Sequence, residues 1–160
     1  MSSALRLVPI TTENVEEACR LSVRPDQQRL VQPVAQSLAL AYAFGEQAWP
    51  RLVMDGEEIV GFLMAFFDVP FDADPPGVTR DGLWRLNVAA GQQGRGVGRF
   101  AVEQVAAELR RRGRRTLTTS WHVADNGPEP FYRRLGFRLT GETVEGEIIG
   151  ELDLGTPAAG

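Results

Sequence analysis

At 160 residues, with 43% hydrophobic and 24% charged side chains, the chain has the composition of one globular domain that can bury a core unaided. A net charge of −4 argues against a dedicated nucleic-acid binder, and no apolar run reaches the ~18 residues of a bilayer span. The single cysteine, Cys19, allows no internal disulfide, and all 17 basic residues are arginine, which excludes a Walker lysine and a Schiff-base lysine.

The opening residues lack a basic-plus-apolar leader, so a cytoplasmic location is expected. Leu5 to Ile10 reads as a first strand, and Thr12 as an N-cap with Glu13, Glu16 and Glu17 in the following turns. Residues 24–32 form a polar connection, and Ser37 to Phe44 a short helix after Pro33. Arg51 to Met54, the turn Asp55-Gly56 and Glu58 to Asp68 make a hairpin. The proline- and aspartate-rich stretch 69–81 is expected to be a loop.

Leu83 to Val88 is a strand that runs into a glycine-rich turn. The helix beyond it, about Gly96 to Arg112, repeats apolar residues every fourth position: Val97, Ala101, Val105 and Leu109. Thr116 to His122 is a further strand, Pro128 to Leu135 a short helix, and Phe137 to Glu142 and Glu147 to Leu154 a closing strand pair. Alternating strands and helices with one hairpin indicate a mixed α/β sandwich over 1–155, in one domain, with a flexible tail at 156–160.

Glycines at 94, 96 and 98, between a strand and a long helix, suit the close approach of an anion to unpaired N–H groups. A plain strand-to-helix turn is the alternative. Neither dinucleotide fingerprint nor Walker loop fits, because the spacing is not G-x-G-x-x-G and no Gly-Lys follows.

Gln93-Gly94-Arg95-Gly96-Val97-Gly98 resembles motif A of the GCN5-related N-acetyltransferases, the GNAT superfamily. Asn126 with Phe131-Tyr132-Arg133-Arg134-Leu135-Gly136-Phe137 is similar to that superfamily's asparagine and Y-x-x-x-G-F segment. Trp84-Arg85-Leu86-Asn87-Val88 resembles the W-R-x-x-V/I strand of BltD-like spermine/spermidine acetyltransferases, as do the segments Ser37 to Tyr42 and Gly141 to Ile148. The resemblance implies a mostly antiparallel central sheet with a splayed central strand pair and helices on both faces.

It also implies acetyl-CoA as co-substrate, with no metal. Main-chain groups of Leu86, Asn87 and Val88 would bind the pantetheine arm, and Gln93, Gly94, Arg95, Gly96, Val97, Gly98 and Arg99 the pyrophosphate. The Leu86 N–H would stabilise the oxyanion of acyl transfer. Tyr132, with Phe131 beside it, would serve as the acid that protonates the leaving thiolate, or would be a core tyrosine. Asn126 would bond the cofactor or cap its helix.

The base stays open. The central strand holds no carboxylate at Leu83 to Leu86, where many relatives place one, so the candidates are His122, Asp81 and water relays to the acidic loop. Trp84 and Trp121 would wall an amine pocket or pack the core. Arg85 would pair with buried carboxylates or order the substrate pocket. Asp68, Asp72, Asp74 and Asp81 would draw a cationic substrate or simply be solvated. The expected function is acetylation of a primary amine by direct attack in a ternary complex, with a polyamine as acceptor. An amine-bearing antibiotic or another small amine, and a non-catalytic acyl-CoA-binding module, are the alternatives. Neither nucleic acid nor membrane is an expected partner; a homodimer is.

Overall fold

The computed structural model describes residues 4–155, so the tail expected at 156–160 lies outside the described residues. Seven strands form one sheet: β1 (Leu5–Pro9), β2 (Ala48–Asp55), β3 (Glu58–Pro70), β4 (Thr79–Val88), β5 (Thr116–Trp121), β6 (Arg138–Val144) and β7 (Glu147–Asp153), in the order β1-β2-β3-β4-β5-β7-β6. Every neighbouring pair is antiparallel except β4 and β5. Helices α1 (Val15–Cys19) and α2 (Val34–Phe44) cover one face, and α3 (Val97–Arg111) and α4 (Glu129–Arg134) the other.

Each face has its own apolar layer. Val97, Ala101, Val105 and Leu109 are buried against Val53, Leu63 and Leu117 of the sheet, so the spacing-four stripe of α3 is its core face. Ala18 and Val34 close over Leu52, Phe62 and Met64 on the other face. Strand β3 is buried almost throughout because both layers need it, which explains its near-continuous apolar run.

Several boundaries differ from expectation for local reasons. Asn14, not Thr12, stands at the start of α1, and its Oδ1 accepts the Thr11 N–H at 2.8 Å. Helix α2 begins at Val34, directly after Pro33, whose fixed φ favours helix entry. The loop expected over 69–81 is shorter, because Val69 pairs with Arg80 and Pro70 with Thr79, which extends the β3–β4 hairpin.

The feature that positions the site is the meeting of β4 and β5. They pair only at Gly82↔Thr118 and Leu83↔Thr119. A Cβ at Gly82 would lie 1.7 Å from the Thr118 carbonyl oxygen, so only glycine lets the two backbones touch there. The Thr119 hydroxyl donates to the Leu83 carbonyl at 3.0 Å and fixes the last point of contact. Beyond it a bulge against β3, between Met64 and Ala65, leaves Trp84 unmatched and bends β4 away.

Candidate active site

Where β4 and β5 part, a cavity of about 740 Å³ opens through the sheet. Its walls come from both faces: residues 23–32 between α1 and α2, the splayed end of β4, the glycine turn and first turn of α3, the end of β5, the start of α4, and the β6–β7 turn.

The β4 wall presents main-chain groups. The Ala89 N–H bonds the Val60 carbonyl of β3 at 2.9 Å, and the register through Gly61↔Val88, Phe62↔Asn87 and Leu63↔Leu86 is regular. Alternation along a strand therefore turns the N–H and C=O of Leu86 and Val88 toward the gap that β5 has vacated. Buried main-chain polar groups need partners, so this edge is built to receive an extended, amide-bearing ligand. The Val88 carbonyl accepts one bond from Gln93 Nε2, at 3.3 Å, which ties the glycine turn to the strand. Gln93 also reaches Gln27 Oε1 at 3.2 Å.

The floor is an anion cradle. Gly94 and Gly96 take φ of 78° and 81°, a backbone that bends the turn back over the start of α3, and a Cβ on either would meet nothing within 4 Å. The 15-residue α3 has no acidic residue in its first turn to oppose an incoming anion, and its leading N–H groups are free of intrahelical partners. The mouth here carries Arg99, which pairs with Glu103 at 3.0 Å, and Arg134.

Tyr132 stands at the inner end of the cavity. Trp121 stacks on it at 4.9 Å and 16°, while Phe131 and Phe137 meet it edge-on. Burial pushes the phenol up to about 12, partly opposed by a hydrogen bond with Thr119. The hydroxyl thus keeps its proton at neutral pH, as a proton donor must.

In the same lining, His122 Nε2 lies 3.2 Å from Glu147 Oε1, and the Ser120 hydroxyl donates to Glu147 Oε2 at 2.6 Å. His122 is about half exposed to the cleft. Glu147 lies at the start of β7, just beyond the Trp121↔Ile148 pair, which brings it beside His122. Glu145, in the preceding turn, also lines the cavity. Arg85 faces the same space, half-buried; burial lowers its pKa, and Glu147 and then Glu145 oppose that shift.

Most of the residues singled out from sequence meet here. Trp84, Arg85, Leu86, Val88, Gln93, Gly94, Gly96, Val97, Gly98, Arg99, Trp121, His122, Asn126, Phe131 and Tyr132 all line the cavity. Asn126 does not cap α4, whose N-cap is Pro128. Trp121 is a core residue as well, packed over Gly150. Trp84 stacks on Phe66 at 4.9 Å and meets Phe44 edge-on at 4.8 Å, so its wall position is supported from behind.

Three residues stand elsewhere. The main chain of Asn87 turns toward β3, and its side chain donates to the Gln32 carbonyl at 2.9 Å, which ties the 23–32 wall to β4 without lining the cavity itself. Arg95 is exposed at the tip of the turn, outside the lining. Asp81 lies in a separate hollow with Asp74, Arg80 and Arg114, where its Oδ1 accepts the Asp68 N–H at 3.0 Å. The acidic loop is occupied by arginine: Asp74 holds Arg80 at 2.7 Å, and Asp68 holds Arg114 at 2.8 Å.

Sequence reasoning missed Glu145, Glu147, Ser120 and the 23–32 wall. Only the β5–β7 register would have found Glu147, since Trp121↔Ile148 aligns it with His122. The 23–32 wall has no motif, and its approach depends on tertiary packing.

The model of the acetyltransferase (GNAT) family matches residues 16–137. A search of the curated proteins finds no match. Among solved structures, an acetyltransferase from Thermus thermophilus superposes with a TM-score of 0.72 at 24% identity, covering 95% of this chain and 98% of that one. The PaiA N-acetyltransferase from Thermoplasma acidophilum, solved with coenzyme A, gives 0.67 at 12% identity over 94% and 99%. A GNAT family acetyltransferase from Elizabethkingia anophelis, solved with acetyl-CoA, gives 0.63 at 15% over 93% and 97%. These likenesses bear on the fold: a mostly antiparallel sheet between helices, as in this chain. With the family model spanning both the glycine turn and the Tyr132 segment, the chain belongs to the acetyltransferase (GNAT) family, whose members are acetyl-CoA-dependent N-acetyltransferases.

Proposed function

We propose that this chain acetylates a primary amine of a small molecule, which enters the cleft opposite the glycine turn. The observation that carries the reading is that His122–Glu147 and Tyr132 line one cavity beside the vacated edge of β4. Acetyl-CoA supplies an activated acyl group there. The edge of β4 at Leu86 and Val88 suits its amide-bearing arm, and the free N–H groups at the start of α3 suit its pyrophosphate.

The chain's own residues then divide the proton work. An amine must be neutral to attack, and His122, held through Nε2 by Glu147, is the group placed to take its proton. Ser120 holds the other oxygen of Glu147, so the carboxylate, and through it the imidazole, has one orientation. The Leu86 N–H, turned into the gap, would hydrogen-bond the acyl oxygen as charge builds on it. Tyr132 keeps its proton for the departing thiolate. Cys19 is on α1, outside the cavity lining, which agrees with direct attack rather than an acyl-cysteine intermediate.

A polyamine is a second, narrower reading of the acceptor. Glu145 and Glu147 in the cavity wall favour it, since they would attract a cation. The aspartates of the 68–81 segment do not support it: Asp68 and Asp74 hold arginines, and Asp81 lies in the separate hollow. The test is release of free CoA from acetyl-CoA with spermine, spermidine, putrescine, an aminoglycoside and a lysine peptide. Saturable turnover with an amine supports the enzyme reading. Preference for spermine or spermidine supports the polyamine, and acetyl-CoA binding with no turnover favours a binding module.

A further inference from the structure

Arg85 is placed unlike the protein's structural arginines. Arg80 is clamped by Asp74 and Glu142, each at 2.7 Å, and Arg114 by Asp68 at 2.8 Å. The guanidinium of Arg85 is half-buried in the cavity wall, yet among the described residues its only hydrogen bond runs from Nη1 to the Trp84 carbonyl, at 3.0 Å. Its Nε is shielded from water and has no partner. Among the described residues no carboxylate closes on it. Glu147, which is close enough to favour its charge, is instead held by Ser120 and His122.

We propose that the acceptor is an amino acid, or a molecule ending like one: Arg85 binds a carboxylate next to the amine that is acetylated. The inference rests on the cleft being a site of amine acetylation, and it competes with the polyamine. A half-buried guanidinium with donors to spare is matched by an oxyanion, which it can grip with two parallel N–H bonds. Local charge selects a carboxylate over a phosphate ester. The charges that act on Arg85 are those of Glu147 and Glu145, which would repel a phosphate dianion more strongly than a carboxylate.

The same wall orients the molecule. A zwitterion sets its ammonium toward Glu147 and His122 and its carboxylate toward Arg85, so Glu147 and Arg85 each meet an opposite charge. A polyamine would bring a second cation up to Arg85 in a partly desolvated place, where like charges cost most.

The test compares free L-amino acids with their amides, and both with spermidine, by CoA release from acetyl-CoA on the intact chain. The amide keeps the shape and removes the negative charge, and its less basic amine would by itself favour the amide. The expected result is a kcat/KM for the free acids about tenfold or more above that for the amides, carried mainly by KM. In Arg85→Gln that ratio collapses toward unity, and Arg85→Lys, which keeps the charge without the fork, restores part of it. The wild-type ratio needs no variant, so poor folding of a mutant cannot obscure the outcome. Preference for amides or for spermidine would overturn the inference while leaving amine acetylation standing, as would an unchanged ratio in Arg85→Gln. Silence toward all three classes with acetyl-CoA bound would remove amine acetylation and this inference together.

Discussion

Tyr132 and His122 face a common cavity from opposite chemical circumstances. Tyr132 is deep in aromatic packing, and desolvation raises its pKa to about 12. A raised pKa means the phenol stays protonated throughout the ordinary working range. The pH profile of kcat is therefore predicted to show no alkaline fall from Tyr132 below about pH 10; any limb there belongs to another group. Tyr132→Phe is predicted to lower kcat about a hundredfold while leaving acetyl-CoA affinity within about twofold, because only the proton donor is lost. Equal turnover in that variant would take the phenol out of the mechanism. Glu147 acts through His122, as a positioning residue. Glu147→Gln would leave the imidazole without its anionic anchor, and kcat is predicted to fall about tenfold or more with KM for acetyl-CoA within about twofold. A parallel loss of acetyl-CoA affinity would point to a structural role instead.

At the scale of elements, the cavity exists because β4 and β5 touch at two residue pairs and then separate. Gly82 permits the touch, and the bulge at Trp84 turns the rest of β4 away. Gly82→Ala would drive a methyl group into the Thr118 main chain, which neither strand can yield without breaking the pairing. Destabilisation of about 3 kcal/mol is expected, measured as a lower denaturant midpoint. Little change would mean that the strands can separate there at small cost. The α3 stripe and the glycine turn were readable from the chain alone, because a spacing of four and a glycine run are local patterns. The extra strand length at Thr79 to Asp81 was not. Prolines and aspartates in that stretch spell loop, and only pairing with Val69 and Pro70 makes part of it strand.

For the molecule as a whole, the sequence motifs led to the fold and to most of the residues that line the cavity, but carried no sign of the ion pairs. The aspartates of 68–81 read as a mouth for cations or a solvated loop; Asp68, Asp74 and Asp81 are instead clasps between hairpin, β4 and the turn after α3. Ion pairs between residues distant in sequence, such as Arg80 with Glu142, leave no local signal. This network has a consequence for acid stability. The Arg80 guanidinium holds the carboxyls of Asp74 and Glu142 below their ordinary values of 3.8 and 4.5. Groups depressed on folding add stability in full above those ordinary values, and lose it as pH falls through their lower folded values. The stability gap between wild type and Arg80→Gln is therefore predicted to close as pH drops below about 4 in equilibrium unfolding. A gap of constant size across that range would show that Arg80 acts by packing, as over the Phe71 ring at 4.7 Å, rather than by charge.

Direct transfer of an acetyl group from acetyl-CoA to an amine in this cleft is tested by the release of CoA with and without amine acceptors, read together with the intact mass of the protein and of the acceptor. Direct transfer predicts no sustained CoA release and no acetylated protein without an amine, and turnover with an N-acetylated product once a suitable amine is added. Acetyl-CoA that binds but is never consumed, across polyamines and amino acids alike, or an acetyl group that comes to rest on the protein itself, would contradict it.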